Sequence, residues 1–81
     1  MRLIKKYEYK ELKVLDLYFI DSEFNYKELI EYIEKYENKI IDELEIDIIK
    51  LNISIDFIGV NEYITKDANI VKVEISILNI D

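Results

Sequence analysis

The stretch SEFNYKELIEYIEKYENKI, residues 22–40, decides the fold, because it is the one segment with a clear helical period. Its apolar residues recur at spacings of three and four, as in an amphipathic helix that covers a core with one face. A side-chain oxygen of Ser22 or Asn25 is suited to cap its first turn, and Asn38 marks a stop. We predict a single helix here, with these residues on its core face: Tyr26, Leu29, Ile30, Ile33, Tyr36 and Ile40.

The segments on both sides of this helix alternate apolar and polar residues with the period of two typical of strands. Residues 2–9 are interpreted as a strand, although a helix also fits their spacing. Residues 12–20 are apolar on both faces, which predicts a central strand or one covered on both sides. Residues 43–58 and 70–80 supply two further strands. The phase of the first of these slips between Ile48 and Ile49, which predicts a bulge or a bend.

Two polar segments separate the later strands and predict turns, namely residues 59–61 (GVN) and 66–69 (KDAN). The segment 61–65 (NEYIT) is interpreted as a loop or a brief strand. The order of elements is therefore β-β-α-β-β. The predicted fold is α+β, an antiparallel sheet of about four strands with one amphipathic helix packed on it. Residues 1–81 form a single domain in this interpretation.

The composition favours a small globular protein with a thin core. The chain has 81 residues, of which 51% are hydrophobic and 36% are charged, and it contains no Cys and no His. Without disulfides or a structural zinc, dense Ile packing and self-association are the stabilising features that are left. Because small secreted domains usually carry disulfides, we expect a cytoplasmic protein, in the host cytoplasm if it is viral. No segment has the pattern of a signal peptide or a membrane span.

The net charge of −7 is unevenly distributed along the chain. Residues 1–13 contain five bases and two acids, whereas residues 14–81 contain six bases and sixteen acids. So acidic a surface repels nucleic acid and anionic membranes, and it attracts basic proteins such as those that bind DNA or RNA. The alternative is that the charge serves solubility alone. The basic segment Arg2–Lys13 then either neutralises a neighbouring copy or lies on its own sheet.

The chain lacks the residues that most catalytic mechanisms require. The absence of His and Cys removes the commonest general base, the thiolate nucleophile and the usual transition-metal ligands. A single Gly excludes phosphate-binding loops, which need several. Asp16 and Asp56 interrupt apolar strands and would hold Mg²⁺ if they met, but we expect both to face solvent or a sheet edge. We predict no enzyme activity, no catalytic residue, no cofactor and no metal.

The stretch ELEIDI, residues 43–48, alternates acids with aliphatic residues. On a strand its acids would form a straight row with a repeat of about 6.6 Å, close to the phosphate spacing of a nucleic acid. We predict that this row, together with acids at the start of the strand and on the helix, binds a partner. The alternative is an edge strand whose charges discourage aggregation. The predicted acidic binding residues are Glu43, Glu45, Asp47, Asp42, Glu28, Glu31 and Glu34.

Tyr32 falls among Glu28, Glu31 and Lys35 on the predicted outward side of the helix. Tyrosine is enriched in protein interfaces, because it combines rigid area with a hydroxyl group. We therefore predict that Tyr32 contributes to partner binding. A single Tyr on a solvated helix face is the alternative interpretation.

A very small acidic chain, rich in Ile, Lys, Asn, Asp and Glu and without catalytic motifs, resembles the anti-defence inhibitors of viruses and phages, such as the anti-CRISPR proteins. The resemblance rests on composition over the whole chain and on the character of stretches such as FNYKELIEYIEKYEN and ELEIDI. It implies an inhibitor that occupies the nucleic-acid site of a defence protein, or blocks it allosterically. No site residue is implied by it.

Together these features predict a non-enzymatic inhibitor with an acidic, nucleic-acid-mimicking face. Its expected partner is a basic nucleic-acid-binding protein or complex, with no direct contact to nucleic acid and none to a membrane. The alternative function is a structural module that associates with itself through its sheet, as a homodimer. A carboxylate-metal enzyme built on Asp16 and Asp56 is the third hypothesis.

Overall fold

A four-stranded antiparallel sheet carries one long helix on one of its faces. The structure, a computed structural model, describes residues 1–47 and 49–80. The elements are β1 (Leu3–Tyr9), β2 (Val14–Ile20), a short 3₁₀ turn (Asp21–Glu23), α1 (Tyr26–Leu44), β3 (Ile49–Asn61) and β4 (Thr65–Ile80). The strands lie in the order β1-β2-β4-β3, all neighbours antiparallel. The predicted α+β fold with a β-β-α-β-β order is confirmed.

The core lies between α1 and the two central strands. Register pairs Leu17 of β2 with Val73 of β4, and Phe19 with Val71, so these residues share one face of the sheet. The same face receives the buried side of α1. The predicted central position of the second strand is confirmed, and the first segment is a strand at the sheet edge. The buried core residues are Leu15, Leu17, Phe19, Leu29, Tyr36, Ile40, Ile49, Val71, Val73 and Ile75.

Asn25 begins α1 and Glu45 ends it. The Asn25 side chain accepts hydrogen bonds from the backbone N–H groups of Lys27, at 2.9 Å, and Glu28, at 3.2 Å. This arrangement pairs two of the N–H groups that every helix start leaves without a partner. Glu45 adopts the left-handed conformation with φ 52°, and the N–H of Ile46 donates to the carbonyl of Ile41 at 3.2 Å. Such a bond closes the last turn of many helices.

The prediction that a strand begins at Glu43 is wrong. Residues 43 and 44 are the last turn of α1, and β3 begins at Ile49. Leu44 lies four residues after the buried Ile40, so the helical period continues through the segment that also alternates with a period of two. The predicted bulge between Ile48 and Ile49 involves Ile48, which lies outside the described residues.

Both predicted turns are also wrong, because β3 and β4 form a longer hairpin. The connection between these strands is residues 62–64, and β4 begins at Thr65 instead of Ile70. Gly59 lies inside β3 at a bulge, where Ile58 is the inserted residue between Phe57 and Gly59. The φ of Gly59 is +73°, which glycine adopts without strain. The glycine at position 59 therefore indicates a bulge and not a turn between strands.

We expect Asn25→Ala to lower the free energy of unfolding by about 1 kcal/mol, because two N–H groups at the start of α1 lose their acceptor. Ser22 is exposed in the 3₁₀ turn, so Ser22→Ala is a matched control with an expected change below about 0.5 kcal/mol. Urea denaturation followed by circular dichroism measures both. An equal loss in the two variants would contradict the assignment of Asn25 as the cap.

Candidate functional site

The acids of α1 follow its solvent side. Glu31, Glu34 and Asp42 are exposed. Asp42 follows Glu31 by eleven positions, or about three helical turns, which places them on the same side. Glu28 is half-buried, and its carboxylate lies 2.6 Å from the amino group of Met1. The helix therefore presents a broken acidic ridge, which Lys35 and Asn38 interrupt.

Four carboxylates concentrate at the C-terminal end of this helix. Asp42, Glu43, Glu45 and Asp47 are all exposed, and we call this group the acidic end. The last turn of α1 contains no basic residue, and within the described residues none of the four forms an ion pair. The unpaired carbonyls of a helix C-terminus already carry partial negative charge. The acidic end thus combines mutual repulsion with an unfavourable interaction with the helix dipole.

The predicted straight row of carboxylates is wrong. Glu43 lies on the helix, Glu45 lies in its left-handed cap, and Asp47 lies in the bend that follows. Their spacing is thus that of a helix end and not the two-residue repeat of a strand. What the chain does bring together is charge, with four carboxylates in six residues.

Tyr32 does not point outward as predicted. It is half-buried, and its ring packs edge-on against Phe19 with 5.5 Å between ring centroids. It lines an open groove of about 530 Å³ beside the start of α1, where Glu28 and Glu31 meet Lys27 and Lys35. Because this groove carries both signs of charge, it is not part of a uniformly acidic face.

An ion pair joins the other side of α1 to β1. Lys39 donates to Glu8 at 2.8 Å. This hydrogen bond lowers the pKa of Glu8 and raises that of Lys39.

Lys5 donates to the carbonyl of Tyr63 at 3.1 Å. The basic N-terminal segment therefore lies on its own sheet, which was one of its two predicted positions.

The sheet face opposite α1 holds a buried carboxylate that the sequence interpretation placed at the surface. Asp16 is only 6% exposed, and its Oδ1 has no hydrogen-bond partner within the described residues. The nearest cation is Lys72, whose Nζ lies 3.9 Å from Oδ2. Burial raises the pKa of Asp16, an effect that Lys72 opposes. Tyr7 and Tyr18, which pack edge-on at 5.9 Å, flank it.

Asp16 and Asp56 do not form the metal site weighed in the third hypothesis. The register places Asp16 beside Glu74 of β4, and Asp56 beside Lys72 on the other side of that strand. Across residues 1–47 and 49–80 no cluster of three or more acidic side chains has the arrangement needed to hold a metal ion. A sequence signal for the burial of Asp16 did exist, since Val14, Tyr18 and Ile20 have its parity on a strand predicted to be central.

No protein-family model, curated protein or solved structure matches this chain. In the described part of the chain, no helix combines the length and the apolar character needed to cross a membrane.

We expect Asp16→Asn to raise the free energy of unfolding by about 1 kcal/mol at pH 7, or Tm by about 5 °C, because it removes a desolvated charge. Burial raises the folded-state pKa of Asp16 above the usual range of an aspartate. The favourable contribution of Asp16 is thus present at low pH and lost as the pH rises through the raised pKa. The gain of the variant over the wild type should accordingly shrink towards pH 4.

Asp56→Asn is the matched control for this measurement, because Asp56 is exposed on the same face of the sheet. Thermal melts of the three proteins between pH 4 and pH 7 provide the data. A destabilised Asp16→Asn at pH 7 would show that the carboxylate of Asp16 is stabilising. A gain that does not depend on pH would show that removal of the desolvated charge is not its cause.

Proposed function

We propose that this protein is a non-enzymatic inhibitor that binds a basic surface of a nucleic-acid-handling protein through the acidic end of α1. The observation that supports this proposal is the exposure of Asp42, Glu43, Glu45 and Asp47 without a neighbouring base in the last turn. Lys39 of α1 and Lys10 and Lys13 of the β1–β2 turn lie near Glu43, but within the described residues none of them forms an ion pair with it. A partner would therefore supply the paired positive charge.

The acidic end is unfavourable for the stability of the isolated chain. A carboxylate near a helix C-terminus costs about 0.3–1 kcal/mol, and the left-handed φ of Glu45 adds a backbone cost of about 1 kcal/mol. Natural sequences depart from such local rules mostly at functional sites. Contact with lysine and arginine side chains would turn the repulsion between these carboxylates into attraction.

The proposed partner class follows from charge density rather than from a repeat distance. The carboxylates of a helix end do not reproduce the regular spacing of a phosphate backbone, so the proposal requires a Lys- and Arg-rich surface and not a groove of fixed pitch. Nucleic-acid-binding proteins carry such surfaces because they neutralise phosphates. The compositional resemblance to viral anti-defence inhibitors supports a defence protein as the target, in the host cytoplasm.

The variant Glu43→Lys/Glu45→Lys/Asp47→Lys tests this proposal. As control we choose Glu23→Lys/Glu62→Lys/Asp67→Lys, which makes the same change of net charge at three exposed acids outside the acidic end. An affinity pull-down from host lysate, at low and at moderate salt, should retain a nucleic-acid-binding protein on the wild type and on the control. The acidic-end variant should bind at least tenfold more weakly at low salt, because close interfacial charge pairs contribute about 1.5 kcal/mol or more each. Equal retention by all three proteins would refute the proposal.

The same variant should be more stable than the wild type, by about 1 kcal/mol. Lysine near a helix C-terminus interacts favourably with the helix dipole where glutamate and aspartate do not. Urea denaturation in low salt measures the gain, and it should shrink in high salt as the charges are screened. A variant that binds weakly and is also destabilised would point to misfolding as the reason for its weak binding.

A further inference from the structure

Strand β3 leaves one side of its backbone free along the edge of the sheet. In the order β1-β2-β4-β3 it pairs with β4 alone within the described residues. It is thirteen residues long, against seven for β1 at the other edge. Ile53 is 40% exposed and Phe57 is 59% exposed on this strand. A long apolar edge is a ready template for another strand, and natural proteins usually protect it.

The regular part of β3 has definite limits. The register shift near Lys50 arises in β4, since Lys50 pairs with Asn79 and Leu51 pairs with Ile77. On β3 itself the first inserted residue is Ile58, next to the positive-φ Gly59. Residues 49–57 are therefore a straight run without a bulge, and the midpoint of this run is Ile53.

We propose that β3 pairs with β3 of a second copy of this chain, antiparallel and in a register centred on Ile53. This register pairs the full straight run with itself, Ile49 opposite Phe57 of the second copy. Lys50 and Asp56 are the only two charged residues of β3. In this register Lys50 of each copy lies opposite Asp56 of the other copy, which forms two pairs of opposite charge. A shift of the centre to residue 50 or 56 would instead put like charges opposite each other, and other nearby centres leave both charges without a charged counterpart.

The apolar residues on the helix side of β3 also match in this register. Ile53 meets its own copy, and Leu51 meets Ile55 of the second copy, so that each pair is aliphatic. α1 leaves space there, because Tyr26 and Ile30 are 59% and 54% exposed. Tyr26 packs edge-on against Phe24, and Phe24 against Phe57, which locates this part of the helix near β3. The strand of a second copy would extend the sheet beneath these side chains.

Antiparallel pairing also keeps the acidic ends apart. Asp47 lies two residues before Ile49, the first residue of the paired run. The two copies of Ile49 would be separated by eight residues along the strands, or about 27 Å. That separation exceeds the Debye length of about 8 Å at physiological salt, so repulsion between the two acidic ends is largely screened. Parallel pairing would bring these ends side by side. The inference is independent of the proposed function, since neither Lys50 nor Asp56 belongs to the acidic end.

Single-cysteine cross-linking tests the register, because the chain has no Cys of its own. In the proposed pair the two Ile53 Cβ atoms are about 5 Å apart, within reach of a disulfide after a small adjustment. Two copies of Ile55 are about 14 Å apart, which is too far. Under mild oxidation Ile53→Cys should form covalent dimers, Ile55→Cys alone should not, and a mixture of Leu51→Cys with Ile55→Cys should.

Sedimentation equilibrium of charge variants provides the second measurement. Lys50→Asp alone and Asp56→Lys alone should each weaken dimerisation at least tenfold, because each brings two like-charged pairs together, and their equimolar mixture should recover to within about threefold of the wild type. Lys10→Asp, with the same change in charge in the β1–β2 turn, should leave dimerisation unchanged. A wild type that is monomeric at high micromolar concentration would overturn the inference. So would Ile55→Cys cross-linking as readily as Ile53→Cys, or a mixture of charge variants that does not recover.

Discussion

A single helix has to cover a sheet that is wider than itself. Four strands about 4.8 Å apart occupy about 19 Å, whereas a helix with its side chains is about 10 Å across. α1 therefore covers the helix-side residues of the central strands, such as Leu17 of β2 and Val73 of β4, and it leaves gaps towards both edges. On the β1 side the ion pair of Lys39 with Glu8 bridges the gap. On the β3 side the gap stays open, which is why Ile53 and Phe57 are exposed.

The parts of the fold that follow from one dominant signal could be predicted from the sequence. The helical period around Leu29 and Tyr36, and the strand with two apolar faces, had no strong competitor, and both are confirmed. The predicted boundaries of helices and strands were wrong where two sequence patterns overlap. Leu44 fits both the helical spacing from Ile40 and the alternation of the residues that follow it. The helix continues through Leu44 because the N–H of Ile46 donates a hydrogen bond to the carbonyl of Ile41. Gly59 permits a turn and a bulge equally, and only the partner strand selects the bulge.

The candidate site was predictable in composition but not in geometry. Charge counts identified the acids, yet their arrangement depended on the one boundary that the sequence left ambiguous, so the expected strand row became a helix end. Tyr32 was assigned outward from the charges beside it, whereas its packing depends on the distant Phe19. The apolar neighbours of Asp16 on its own strand indicated its burial, but Tyr7, which flanks it from the paired strand, could not be assigned to it from a local pattern. Side chains whose surroundings come from distant segments are the ones that sequence patterns place poorly.

The acidic end and the free edge of β3 adjoin in the chain, since only residue 48 separates Asp47 from Ile49. In a dimer paired through β3, the two acidic ends would therefore lie at opposite ends of the central pair of β3 strands, about 27 Å apart along the strand direction. A partner with two basic sites at a matching distance would bind both, and the second contact would form at a high effective concentration. Self-association would then increase the affinity of the acidic end without any change in its own contacts. For this reason the two hypotheses drawn from the sequence, inhibitor and self-associating module, are compatible descriptions of one molecule.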